Sequence, residues 1–169
     1  MVIVLMGVTG CGKTTIGELL ASMMGWEFFD GDSFHPKANV EKMSQGIPLS
    51  DQDRAPWLAT LAQLIFDAQQ DGRSIVLACS ALKDIYRRVL AGDSRAAVAA
   101  SPVNFVYLRG PKELIASRLS GRPGHYMDPN LLGSQFAALE EPNPNAAIYI
   151  DIAQSPEKVV SDIRISLSF

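Results

Sequence analysis

The sequence predicts an α/β protein: five parallel strands covered by helices on both faces, in three layers, as one domain over residues 1–169. Three observations predict it. Short apolar runs alternate with helix-spaced segments, the pattern of a parallel sheet with helical crossovers. The first run leads into Gly7-Val8-Thr9-Gly10-Cys11-Gly12-Lys13-Thr14, which matches G-x-x-x-x-G-K-[ST] at every fixed position. No repeat, low-complexity tract or long linker divides the chain.

The first strand is expected at 2–5, a continuously apolar, β-branched run suited to burial on both faces. After Lys13, apolar residues at Ile16, Leu19, Leu20, Met23 and Met24 fit one helical face, and Gly25 supplies a stop. Four more strands are expected at 27–30, 74–79, 103–108 and 147–151. Ser50, with Asp53 three residues on, resembles a helix N-terminus. Trp57, Leu58, Leu61, Leu64, Ile65 and Ala68 then repeat at helical spacing and read as core. Pro111 suits the first turn of a helix carrying Leu114, Ile115 and Leu119. Ser155-Pro156 opens a last helix with Val159, Val160, Ile163 and Leu167 on its apolar side.

Composition narrows the class. Hydrophobic content of 47% in 169 residues suffices for one substantial core. A net charge of −3 shows no basic face, so nucleic acid is not the expected partner. No apolar run reaches a membrane span of ~18 residues, so no membrane partner is expected. The apolar start runs directly into the glycine-rich loop without a basic stretch, so no cleaved leader is expected either. Two cysteines, Cys11 and Cys79, without zinc spacing fit a reduced, cytoplasmic setting.

The glycine-rich loop is built for polyphosphate. Glycines let successive N–H groups turn inward as an anion nest. The expected contacts come from Gly7, Val8, Thr9, Gly10, Cys11, Gly12, Lys13, Thr14 and Thr15. Lys13 reaches the β- and γ-phosphates, Thr14 offers a hydroxyl to Mg²⁺, and the next helix aims its positive end at the anion.

Ligands of such sheets bind beyond the carboxyl ends of the strands. There stand Asp30-Gly31-Asp32 and His35-Pro36 after the second strand, and Cys79-Ser80-Ala81-Leu82-Lys83 after the third. Beside a Mg-nucleotide, one aspartate can serve the metal and the other take a proton from an attacking hydroxyl; alone, the pair would read as a polar turn. Lys83 is either an anion-binding group or a solvated helix residue. After the fourth strand, Arg118 and Arg122 share one helical face ahead of Pro123 and Gly124. This reads as a mobile lid, over about 118–140, that brings guanidinium groups to a transferring phosphate and excludes water. Its alternative is an exposed loop with surface arginines.

Together these segments resemble the gluconokinase family of P-loop small-molecule kinases. The resemblance rests on Leu5-Met6-Gly7-Val8, Asp30-Gly31-Asp32, His35-Pro36, Asn39-Val40-Glu41-Lys42-Met43 and Pro48-Leu49. It continues through Asp53-Arg54 with Pro56-Trp57-Leu58, Cys79-Ser80-Ala81-Leu82-Lys83, Gly124-His125-Tyr126-Met127, Ser134-Gln135-Phe136 and Leu139-Glu140-Glu141-Pro142. The resemblance implies a P-loop kinase fold in which ATP, with Mg²⁺, phosphorylates D-gluconate to 6-phosphogluconate. It implies Asp32 as base, Asp30 and Thr14 at the metal, and Lys13, Arg118 and Arg122 on the phosphoryl charge. Arg54, Lys83 and His35 are then the candidates to hold the sugar acid, with Arg54 first because a carboxylate prefers a bidentate arginine. Arg54 read without the resemblance is equally a surface charge paired with Asp51 or Asp53, and His35 equally a turn residue. Relatives suggest a homodimer.

The chain departs from the usual pattern at Thr9, Cys11, Gln52 and Pro123. Cys11, at a helix N-terminus where thiol pKa falls, is either a redox-sensitive group or a small buried filler. Competing readings are a shikimate or nucleoside monophosphate kinase of the same architecture and a non-catalytic nucleotide-binding regulator. The glycine-rich segment expected of shikimate kinases after the third strand is absent, as is a guanine-reading Asn-Lys-x-Asp segment.

Overall fold

The first strand decides the architecture. In β1 (Val2–Met6), Ile3 and Leu5 point to one core cluster while Val2, Val4 and Met6 point to another, and all five are fully buried. Successive side chains of a strand face opposite ways. A strand that buries both sets must therefore lie between two layers. Removing each such aliphatic side chain from water contributes roughly 1.5–3 kcal/mol.

The computed structural model describes residues 1–92, 102–120 and 129–169, with backbone alone at 129–131. After β1 come α1 (Lys13–Met24), β2 (Glu27–Asp30), a 3-10 turn (Gly31–Phe34), α2 (Lys37–Ser44), α3 (Asp51–Gln70) and β3 (Ile75–Ala78). Then follow α4 (Asp84–Ala91), β4 (Val103–Arg109), α5 (Lys112–Ser120), α6 (Pro129–Ala138), β5 (Ile148–Asp151) and α7 (Pro156–Ser166). The sheet order is β2-β3-β1-β4-β5, with every pairing parallel. The α1 and α7 side chains pack on one face, and those of α3 and α4 on the other.

The five expected strands are present within a residue of their predicted ends. Ser50 caps α3 by accepting from the Asp53 N–H, and Asp53 answers at the Ser50 N–H, completing the capping box. Ser155 caps α7 by accepting from the Lys158 N–H. Gly25 ends α1 by donating to Ala21 and Ser22 carbonyls.

The inner face of α1 differs from expectation. Ile16, Gly17, Leu20 and Ala21 are buried, whereas Met23 is 53% exposed. The seam against the sheet is narrow and set by small residues, which leaves Met23 beyond its edge. Helix α2 carries few apolar residues, whereas α4 is short but amphipathic, with Tyr86 and Leu90 on its buried side. α2 buries Asn39 as its inward residue, and α4 buries Arg87 beside Tyr86 and Leu90.

Candidate active site

Every βα connection at the carboxyl end of the sheet feeds one region, and the glycine-rich loop follows the central strand. Gly7 N–H donates to the Ser80 carbonyl, tying the loop to the end of β3. Gly10 has φ +78°, and a Cβ there would come within 2.6 Å of Leu119 at the end of α5. Lys13 Nζ bends back to the Gly7 and Val8 carbonyls, 3.0 Å from each. Helix α1 starts at Gly12 with no side-chain cap and no acidic residue in its first turn. Its first N–H groups therefore remain available to an anion, unlike those of α3 and α7. Cys11 is 1% exposed within the core, which makes its thiol the small buried filler.

The next connection supplies two carboxylates. Thr14 Oγ1 donates to Asp30 Oδ2 at 3.0 Å, and Asp30 Oδ1 accepts the Asp32 N–H at 3.0 Å. Asp30 thus caps the 3-10 turn and orients the Thr14 hydroxyl. The Asp32 side chain is 82% exposed and open to a ligand. Gly31 between them has no room for a side chain, since a Cβ would lie 2.6 Å from the Ala78 carbonyl. Trp57 Nε1 donates to the Gly31 carbonyl at 2.7 Å, so a core residue of α3 also holds this turn.

His35 closes the turn. Its ring stacks on Trp57 with centroids 4.3 Å apart. Asn39 Nδ2 donates to the Asp53 carbonyl at 2.8 Å and lies 3.4 Å from His35 Nδ1. An amide nitrogen can only donate, so Nδ1 accepts and the ring proton sits on Nε2, 4.0 Å from Asp32 Oδ1. Burial lowers the His35 pKa, Asp32 opposes that shift, and Arg54 adds to it. His35 is therefore neutral near pH 7.

Arg54 and Lys83 meet around Tyr86. Both oxygens of Asp51 lie 2.8 Å from Lys83 Nζ, and the Tyr86 hydroxyl donates to Asp51 at 2.5 Å. The hydrogen bond from Lys83 is the first cause of a lowered Asp51 pKa. Asp53 is taken by Lys42 at 2.7 Å. Arg54, half-buried and 5.9 Å from the Tyr86 ring centre, has no ion pair among the described residues. Neither carboxylate that might have neutralised it does so. Below them, buried Arg87 donates to the Ala81 and Leu82 carbonyls and holds Ala81 at φ +43°.

Arg118 flanks the phosphate loop. Its Nη2 donates to the Ile152 carbonyl at 2.6 Å, on the wall of a cleft of about 450 Å³ beside the loop. Gly12, Thr15, Gln154 and Pro156 also line that cleft. The reason is reach: the end of β5 offers α5 a backbone acceptor. Arg122, and the 121–128 part of the expected lid, lie outside the described residues.

The fold thus joins Lys13, Thr14, Asp30, Asp32 and His35, with Arg54 near enough to shift His35. Residue spacing missed Asp51 and Tyr86, which organise Lys83, and Asn39, which sets the His35 tautomer. Asn39 was detectable as the i+4 neighbour of His35. Gln135 was missed as well: its Oε1 accepts the Thr9 N–H at 2.6 Å.

The shikimate kinase family model matches residues 9–166. A protein described as a probable gluconokinase from Xenopus tropicalis is 44% identical over 97% of this chain and 92% of its own length. The gluconokinase of Gluconobacter oxydans is 43% identical over 95% of this chain and 88% of its own. The crystal structure of a gluconokinase from Sinorhizobium meliloti 1021 superposes with a TM-score of 0.86 at 38% identity, covering 99% of this chain and 91% of that one. The chain belongs to the gluconokinase family, within the wider P-loop kinase group that the shikimate kinase model describes.

Proposed function

We propose that the protein transfers the γ-phosphoryl group of ATP to the C6 hydroxyl of D-gluconate, giving ADP and 6-phosphogluconate. The observation that carries this reading is the run from Thr14 through Asp30 to Asp32. It sets the phosphate clamp directly beside an exposed carboxylate, with the unneutralised Arg54 near by. The gluconokinase relatives support the choice of acceptor.

In this reading the loop amides and Lys13 hold the phosphates. The Asp32 carboxylate accepts the C6 hydroxyl proton as the new O–P bond forms and the bond to the β-phosphate oxygen breaks. Arg54 takes the gluconate carboxylate through its planar fork. Neutral His35 points its Nε2–H at the acceptor side, and Lys83 adds a second donor there. Arg118, on the wall of the cleft beside the loop, helps to stabilise charge on the phosphates. The 118–140 segment closes over the site, with Arg122 serving the transferred group.

Thr14 and Asp30 fit Mg²⁺. They present two hard oxygen atoms 3.0 Å apart. That suits an ion bound mainly by phosphate oxygens and water. Bound there, Mg²⁺ would neutralise charge on the β- and γ-phosphates. The protein would work in the cytoplasm as a homodimer without nucleic-acid or membrane partners; no helix among the described residues is long and apolar enough to cross a membrane.

A coupled ADP-release assay across sugar acids, shikimate and nucleoside monophosphates tests the proposal. Gluconate is expected to give the highest kcat/KM. Preference for shikimate or a nucleotide would replace the acceptor, and ATP binding without acceptor-dependent turnover would point to a regulator.

A further inference from the structure

Helix α6 places one polar side chain on an apolar stripe. Leu132, Phe136 and Leu139 all pack on the core, Leu132 being 4% exposed. Gln135 lies three residues after Leu132 and four before Leu139, on the same face. The carboxamide there reaches the phosphate loop, 126 residues away in sequence, and accepts the Thr9 N–H at 2.6 Å. A backbone N–H can only donate, so the amide orientation is settled: Oε1 faces Thr9, and Nε2 keeps two N–H donors. Nε2 has no hydrogen-bond partner among the described residues.

We propose that Gln135 reads the γ-phosphate: its Oε1 fixes the Thr9 turn of the loop while its Nε2 donates to an oxygen of the terminal phosphoryl group. This rests on the reading of ATP as phosphoryl donor. Three features support it. The contact falls on the loop immediately after Val8, whose carbonyl already holds Lys13 Nζ, so the two donor groups converge on one stretch. A glutamine can accept from a backbone amide through Oε1 and donate to an anion through Nε2 at the same time, whereas a carboxylate only accepts and an ammonium only donates. The α6 anchor on Leu132 also makes the amide pre-positioned, so little side-chain freedom is lost on binding.

The test separates this role from simple anchoring of α6. Binding of ADP and of a non-hydrolysable ATP analogue, both with Mg²⁺, is measured by calorimetry for the native protein, Gln135→Met and Gln135→Glu. A hydrogen bond to a charged group corresponds to roughly 10- to 100-fold in affinity. Gln135→Met is expected to weaken the ATP analogue by about tenfold or more while ADP stays within about twofold. Gln135→Glu keeps the acceptor for Thr9 but sets a carboxylate against the phosphate, and should lose the ATP analogue further. Equal losses for both nucleotides, or none for either, would overturn the proposal and leave Gln135 as a structural anchor. Should Gln135→Met not fold, the near-isosteric Gln135→Glu carries the same comparison. These titrations contain no sugar acid, so they stand apart from whether gluconate is the acceptor.

Discussion

Asp51 holds Lys83 with both carboxylate oxygens, each 2.8 Å from the ammonium group. This pairing changes which cation is available to an incoming acid. Lys83 is already matched, whereas Arg54, one helical turn along from Asp51, has no ion pair among the described residues. Arg54→Ala is therefore expected to raise the gluconate KM roughly 10- to 100-fold, the scale of a charge-assisted hydrogen-bonded pair. The KM for ATP should hold. Lys83→Met should move the gluconate KM less. Steady-state kinetics of the two variants check the order, and a larger effect at Lys83 would reverse the assignment.

Asp32→Asn tests the base. The substitution keeps size and the backbone bond to Asp30 but removes the proton acceptor. Turnover is expected to fall by about 10²–10⁴, the usual contribution of a positioned base, with ATP binding within about twofold. Near-normal turnover would remove Asp32 from that role.

Gly31→Ala separates the backbone from the carboxylates. Its Cβ would press on the Ala78 carbonyl, which belongs to a sheet strand and cannot swing aside as a side chain can. Overpacking of this kind costs about 1–3 kcal/mol. The Trp57 bond to the Gly31 carbonyl would shift with it, and so would Asp30 and Asp32. Urea denaturation should show the loss, together with turnover reduced by more than the loss of folded protein explains. An unchanged denaturation midpoint would show that the turn has room.

The sheet was legible because its central strands β1 and β3 are apolar on both faces and because β1, β2 and β3 each lead into a chemically distinctive segment. The phosphate loop and the Asp pair could be placed for the same reason: each follows a strand directly. What stayed hidden are partners that depend on two elements meeting. Asp51 looks like a first-turn acid of α3, and only the packing of α3 on α4 brings it to Lys83 and Tyr86. Arg118 stands out in the sequence by its charge and helical position. The bond from its Nη2 to the backbone carbonyl of Ile152 carries no signature in sequence. Gln135 left a faint trace, a polar residue on an apolar stripe, which becomes informative once α6 is seen to face the loop.

His35 offers a pH prediction. Burial lowers its pKa from 6.5, so between the lowered value and 6.5 the unfolded chain binds more protons than the folded one. The associated stability is complete above pH 6.5 and is lost as pH falls through the folded pKa. Of the causes, only Asp32 raises the value. Asp32→Asn should therefore move the His35 midpoint lower still, read from imidazole proton shifts, with His35→Gln identifying the resonance. A midpoint that rises in Asp32→Asn would show that the two side chains do not face one another.

Asp53 responds at a lower pH. Lys42, and then the Ser50 backbone and hydroxyl, hold its pKa at about 2 rather than 3.8. Because the folded value is depressed, this contribution is complete above pH 3.8 and disappears as pH falls toward 2. Lys42→Met removes the largest cause but leaves both bonds from Ser50. The acid unfolding curve of that variant should lose part of its slope between about pH 4 and pH 2, while the capping box keeps α3 in place. Ser50→Ala removes the cap as well as a cause of the shift, and should destabilise at pH 7 too, by about 0.5–2 kcal/mol. The same acid slope in Lys42→Met as in the native protein would mean that the part-buried Lys42–Asp53 pair is fully screened by solvent and that Ser50 alone holds the carboxylate.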